Sequence, residues 1–150
     1  METIVTVQLI KYLKPTILVE ILAARTKVFV VEQKCTYQEM DAKDFTAWYV
    51  QLRQNQQLVV YARIVAHDEP NFISFGRVLV VDKYQHQQLG TQLIKATLAA
   101  IKERYPQQAI KIQAQNYLRD FYAEFGFQAV SAVYLEDGIP HVDTVRTPLE

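Results

Sequence analysis

The sequence has little of what staples, coordinates or spans. It has one cysteine, Cys35, so an intramolecular disulfide and a Cys-rich zinc site are both excluded. Its three histidines, His67, His86 and His141, are too scattered for the usual metal-binding pair spacings, and no metal is expected. No apolar run approaches the roughly 20 residues that cross a bilayer, so no membrane partner is expected. The first residues, METIVTVQLIKYLKP, lack a basic segment, an apolar stretch and a small-residue cleavage site, so no secretion signal is read. Neither sign of charge is in excess, with 16 basic and 16 acidic side chains. That balance argues against a nucleic-acid partner or an anionic surface, whose affinity comes mostly from surplus Lys and Arg. Only four glycines occur, at 76, 90, 126 and 138, so each is expected to have a positional reason. No repeat, low-complexity tract or linker is visible.

What is present describes a folded, cytoplasmic, disulfide-free protein. Half of the residues are hydrophobic and 21% are charged, which excludes intrinsic disorder. A chain of 150 residues fits one domain over 1–150 and buries roughly two-thirds of the surface it exposes unfolded.

Residues 4–9 are β-branched and read as a first strand. Pro15 suits the first turn of a helix. Ile17, Leu18, Ile21, Leu22, Val28 and Phe29 then fall within about 140° of arc on a helical wheel, which predicts an amphipathic helix over 15–32. Residues 47–53 and 57–66 flank QNQQ as a hairpin, and 72–81 is apolar on both faces like a central strand. Leu89, Leu93, Ile94, Thr97, Leu98 and Ile101 cover one side of a helix over 88–104, with Gly90 within that side, where a missing side chain lets helix and sheet approach closely. Pro106 ends it. AIKIQAQ (109–115) is a strand, and Leu118, Phe121, Tyr122 and Phe125 share a face of a short helix with Gly126 as its C′ residue. Residues 128–135 and 142–147 read as two last strands around EDGIP. The order β-α-β-β-β-α-β-α-β-β gives an α+β fold, a sheet with helices on its faces.

Strand 72–81, loop DKYQHQQLGT and helix 88–104 form the informative unit. A buried strand running through a polar loop into a helix exposes the first N–H groups of that helix, which favour an anion. GRVLVVDKYQHQQLGTQLIKATL resembles the acetyl-coenzyme A segment of the GNAT superfamily of N-acetyltransferases, with Gln85 at the first and Gly90 at the last position of its loop motif. QNYLRDFYAEFGF resembles the second segment of that family, with Tyr122, Gly126 and Phe127 in place. RTKVFVVEQKCTYQEMDAKD (25–44) and VYLEDGIPH (133–141) resemble its ElaA-type branch. The resemblance implies a mixed, mostly antiparallel sheet and acetyl-coenzyme A as acyl donor. Main-chain groups of Val78, Leu79 and Val80 would pair with the pantetheine amides as an added strand. N–H groups of His86, Gln87, Gln88, Gly90 and Thr91 would hold the pyrophosphate. Gln115 falls where the family often has an Asn against the pantetheine arm, or is simply an exposed strand end. Two family glycines are replaced, by His86 and Gln88. A negative φ, expected at a helix N-terminus, leaves Gln88 unstrained, and its side chain either points away or offers an amide to a phosphate. Somewhat weaker or altered cofactor binding is expected.

Direct acyl transfer needs a deprotonated amine, a polarised thioester and a proton for the departing thiolate. The resemblance makes Tyr122 that proton donor; its apolar face alone reads as a core aromatic. Arg25 and Glu32 fall about 20° apart on the wheel, inside the apolar arc. They are expected to line the acceptor cleft, Glu32 as base or amine anchor and Arg25 as a substrate contact; the plainer reading is that each reaches solvent at a sheet edge. His141, beside Glu136 and Asp137 in an ordinary hairpin turn, gains a substrate-binding role from the ElaA-like match. Cys35 reads as a small buried thiol. The expected activity is acetyl transfer to a primary amine, on a small molecule or peptide. A non-catalytic acyl-coenzyme A sensor on the same fold and an interaction protein with no ligand stay open, as do the acceptor and the oligomeric state, homodimer included.

Overall fold

The computed structural model describes residues 2–84 and 88–148. Strand β1 (Ile4–Leu9) pairs antiparallel with β2 (Trp48–Gln54). Asn55 and Gln56, both left-handed (φ 50 and 65), turn β2 into β3 (Gln57–Ala66), because two positive φ values match the twist of a tight hairpin. Strand β4 (Phe72–Val80) follows antiparallel. Helix α2 (Leu89–Arg104) then returns the chain to β5 (Ala109–Gln115), parallel to β4. After helix α3 (Arg119–Ala123), β6 (Gln128–Ala129), β7 (Tyr134–Glu136) and β8 (Ile139–Arg146) complete the chain. Among the described residues the strands form one sheet of eight, in the order β1-β2-β3-β4-β5-β8-β6, with β7 also on β8. No helix among these residues is long and apolar enough to cross a membrane.

The sheet is covered on both faces. On one, α2 buries Leu93, Ile94 and Ile101 completely against Val50, Leu52, Ala62 and Ile64; each such side chain contributes about 1.5–3 kcal/mol relative to exposure. On the other, helix α1 (Pro15–Thr26) and the turns after it bury Ile21 and Phe29 against Tyr49, Tyr61 and Leu79. Strand alternation assigns these sets, Tyr61 to the α1 face and Ala62 to the α2 face.

Two elements depart from the periodicity reading. The helix over 15–32 is α-helical only to Thr26, and Lys27–Glu32 is a π-helix whose wider turn is carried on by Gln33 N–H to Val28 O and Cys35 N–H to Val30 O (both 3.2 Å). A wheel drawn at 100° per residue therefore misplaces Glu32, which is exposed while Phe29 is buried. The expected strand over 128–135 is two strands, which adds one strand to the expected order. Val130 N–H still reaches Asp143 O (2.8 Å), but Asp143 N–H donates to the Ser131 hydroxyl at 2.9 Å. A side-chain oxygen there takes the place of a main-chain carbonyl and breaks the ladder.

Candidate active site

A bulge in β4 opens the site. Tyr61 pairs with Leu79 and Arg63 with Gly76, so Ala62 alone faces both Arg77 and Val78. Arg77 takes φ 52 to allow this, and such a bulge bends the strand that carries it. Strands β4 and β5 pair only at Phe72↔Ala109 and Ile73↔Ile110. Beyond that point β4 follows β3 and β5 follows β8, and the strands splay. A cavity of about 1080 Å³ fills the gap, as large as the pockets that hold cofactor-sized ligands.

One side of the cavity is formed by Val78, Leu79 and Val80, the start of α2, and α3. Among the described residues the β5-facing edge of β4 is unpaired from Ser74 to Val80. Gln88, Leu89, Gly90 and Thr91 line the cavity, and the first-turn N–H groups of a helix lack intrahelical acceptors. Gln85, His86 and Gln87 lie outside the described residues. Gly90 does not serve close helix–sheet packing: a Cβ there would meet only Phe121 Cζ, at 3.8 Å, an ordinary contact. Tyr122 lines the cavity and is 4% exposed, its ring packed edge-on or tilted against Phe75, Phe121 and Phe127. Burial raises its phenol well above the usual range. Gly126, at φ 92, closes α3 and lets Phe127 N–H reach Tyr122 O at 3.3 Å. Gln115 also lines the cavity. The side-chain oxygen of Asn116, one residue on, is buried with no partner among the described residues, a feature the sequence reading passed over.

Gln88 is not the unstrained helix start expected. It is the N-cap of α2 at φ 56, ψ 23, with no side-chain capping bond. A left-handed non-glycine residue costs roughly 1 kcal/mol. Gln88→Gly should therefore raise stability by about that amount in a urea melt, and coenzyme A affinity by titration calorimetry should be equal or tighter. A large loss of affinity would identify the Gln88 amide as a phosphate ligand.

The other side of the cavity is built by the segment after α1 and by the β7–β8 hairpin. Glu32, Cys35, Tyr37, Glu136, Asp137 and His141 line it. Cys35 is buried, its thiol 3.6 Å from Asp137 O. Asp137 and Gly138 turn the hairpin at φ 51 and 77. His141 Nδ1 lies 2.7 Å from Ile139 O, and the ring stands near-parallel (24°) to Tyr134.

Arg25 does not line this cavity, which corrects the expectation of a substrate contact. It is 0% exposed and bonds Glu39 through Nε (2.7 Å) and Nη2 (3.1 Å), and Asp44 through Nη1 (2.8 Å) and Nη2 (3.0 Å). Arg63 completes the cluster on Asp41 (2.8 and 3.0 Å) and Asp44 (2.9 Å), while Arg77 reaches Glu39 O at 2.8 Å. Burial works against the Asp44 charge, but the bonds and charge of Arg25, with Asp41 N–H and Arg63, outweigh it and hold that carboxyl at about 2. Burial likewise opposes the charge of Arg25, and its bonds to Asp44 and Glu39 still hold its pKa raised. The cluster ties residues 39–44 to β3 and β4 and so fixes the wall of the cavity opposite α2 and α3. Two signals in the sequence point to it: isolated arginines in the apolar strands 57–66 and 72–81, and the Asp41-x-x-Asp44 spacing, which forms a capping box (Asp41 N–H to Asp44 Oδ2, 3.0 Å).

A sheet splayed between two parallel strands, with a helix N-terminus at one end of the gap, offers an unpaired strand edge and free N–H donors to an extended ligand that ends in an anion. The family described as acetyltransferase (GNAT) domain matches residues 16–147, and the chain belongs to this family of acetyltransferases and acyl-coenzyme A N-acyltransferases. Within it the chain falls in the ElaA-like branch. It is 38% identical to the ElaA protein of Escherichia coli K12 over 135 residues, 87% of each chain. The crystal structure of Escherichia coli ElaA superposes with a TM-score of 0.90 at 34% identity, covering 97% of this chain and 99% of that one. An acyl-CoA N-acyltransferase from Pseudomonas aeruginosa gives the same TM-score and identity over 97% of this chain and 100% of its own.

Proposed function

We propose that this chain transfers an acetyl group from acetyl-coenzyme A directly to a primary amine. The observation that carries the reading is the gap between β4 and β5, which joins an unpaired strand edge and a helix N-terminus to a separate wall of polar side chains. The donor fits the first part. Val78, Leu79 and Val80 offer main-chain groups to the pantetheine amides. The first turn of α2, at Leu89, Gly90 and Thr91, with the loop residues Gln85, His86, Gln87 and Gln88, takes the pyrophosphate. Gln115 lies beside the pantetheine arm. Tyr122, protonated and held by three aromatic rings, gives its proton to the thiolate as the carbon–sulfur bond breaks. Across the gap, Glu32 at the cavity rim draws in the acceptor ammonium and His141 contacts it. Arg25 shapes this wall through Glu39 and Asp44 and does not touch substrate.

Gly90→Glu tests the donor site. A Cβ at Gly90 meets only an ordinary contact, Phe121 Cζ at 3.8 Å, and a carboxylate in the first turn suits the helix dipole, so the variant should fold. It also sets a negative charge where the pyrophosphate would sit. The rise in melting temperature that coenzyme A produces by binding the native state should vanish. An unchanged shift would put the donor elsewhere. Consumption of acetyl-coenzyme A over a panel of amines then identifies the acceptor; binding without transfer to any amine would leave a sensor.

A further inference from the structure

Resting on the amine-acetylation reading above, we propose that His141 takes the proton from the acceptor ammonium, and that Nε2 is the accepting atom. The tautomer follows from one contact. Nδ1 is 2.7 Å from Ile139 O. A carbonyl oxygen only accepts, so Nδ1 carries the hydrogen, and the neutral ring presents its lone pair at Nε2. The ring is held from its flank as well. Tyr134 sits directly opposite it in the β7–β8 register, near-parallel at 6.2 Å, and is itself anchored by its hydroxyl donating to Asp143 Oδ1.

Register places His141 on the face of the sheet opposite Tyr122. His141 pairs with Gln115 of β5, and paired residues share a face. Ile112 and Ala114 are buried on the α2 face, so alternation puts Gln115 and His141 on the opposite one. That is the face closed by the Cys35 segment, whose thiol touches the hairpin at Asp137 O. Tyr122 packs on the α2 face, with Phe75 and Phe127. A proton acceptor for the amine and a proton donor for the thiolate therefore stand on opposite faces, and both line the cavity that joins them.

The step balances as follows. The ammonium passes one proton to Nε2, giving a neutral amine and an imidazolium. The amine lone pair forms the carbon–nitrogen bond at the thioester carbonyl, the carbon–sulfur bond breaks, and coenzyme A leaves as thiolate. Tyr122 gives the thiolate a proton, and the second proton lost by nitrogen replaces it. The imidazolium returns its proton to solvent, the single proton the reaction releases.

The test compares wild type with His141→Ala and His141→Gln, the second keeping size and an N–H donor for Ile139 O. Turnover should fall about 10²–10⁴-fold, with the acetyl-coenzyme A thermal shift unchanged. Imidazole in the buffer should restore part of the His141→Ala activity. The loss should be smaller for weakly basic amines, which are already neutral in solution, than for ordinary alkylamines. Wild-type turnover in either variant overturns the assignment. So does an equal loss for both classes of amine without imidazole rescue, which would make His141 a packing residue. A wild-type protein that binds acetyl-coenzyme A and acetylates no amine instead removes the reading on which the assignment rests.

Discussion

Tyr122→Phe should lower turnover at least ~10²-fold, the usual cost of losing one positioned proton donor. The phenol stands 4% exposed among Phe75, Phe121 and Phe127, and burial raises its pKa, so it carries its proton throughout the working pH range. Phenylalanine keeps the ring and these contacts, so coenzyme A binding and stability should change little. The size of the loss should depend on pH in one direction. A thiol of pKa about 8.5 leaves as a stable thiolate above that pH and needs a proton increasingly below it. The ratio of wild-type to variant turnover should therefore be large near neutrality and shrink as pH rises past about 8.5. Rates across pH at saturating acetyl-coenzyme A give that ratio directly. Equal turnover at every pH would make Tyr122 a core aromatic and leave the thiolate to take its proton from water.

The sequence reading found the elements whose signals are local. Helix α2 and strand β5 follow from spacing alone, since Leu93, Ile94, Thr97 and Ile101 repeat with the helical period and AIKIQAQ alternates. The side of the cavity formed by β4 and α2 was legible for the same reason, because strand and helix follow one another in the chain. The opposite side was not. Its wall depends on Arg25 meeting residues 14 and 19 positions away, and spacing carries no signal for pairs formed by a folded-back loop. The wheel also assumed an α-helix through Glu32, and the π-helix at Lys27–Glu32 turns that residue outward. Gln88 misled for a related reason. The residue before a helix need not share its φ, and here the cap is left-handed.

The bulge at Arg77 links the two sides. The same kink carries the Arg77 side chain over Tyr37 (5.6 Å to the ring centre) and onto Glu39. A residue held at φ 52 within a strand is strained, and strain of this kind persists only where surrounding contacts fix it. The Arg25–Glu39–Asp44–Arg63 cluster supplies those contacts, so the charged residues behind the wall help to keep the cleft open in front of it.

That dependence makes Arg25→Leu the most destabilising change expected in the molecule. Removing one partner of a buried ion pair leaves the other charge without compensation, a loss of about 3–5 kcal/mol. Here two carboxylates lose it at once, since Glu39 and Asp44 both bond the guanidinium and all three groups are buried. Arg63 and Arg77 retain part of the attraction, so the loss should fall within that range. The acid limb of stability should move as well. Asp44 has a folded pKa of about 2 against an ordinary 3.8. A depressed folded pKa means that its stabilisation is complete above about 4 and is lost as pH falls toward 2. Without Arg25 the carboxyl titrates closer to its ordinary value, so the variant should lose less stability on acidification, and its deficit against wild type should be smaller at pH 3 than at pH 7. Urea melts of both proteins at pH 7 and at pH 3 measure the two effects. Coenzyme A should still bind the folded variant, because Arg25 is not part of the cavity wall. A variant within 1 kcal/mol of wild type at pH 7 that has lost acetylation would return Arg25 to the substrate site.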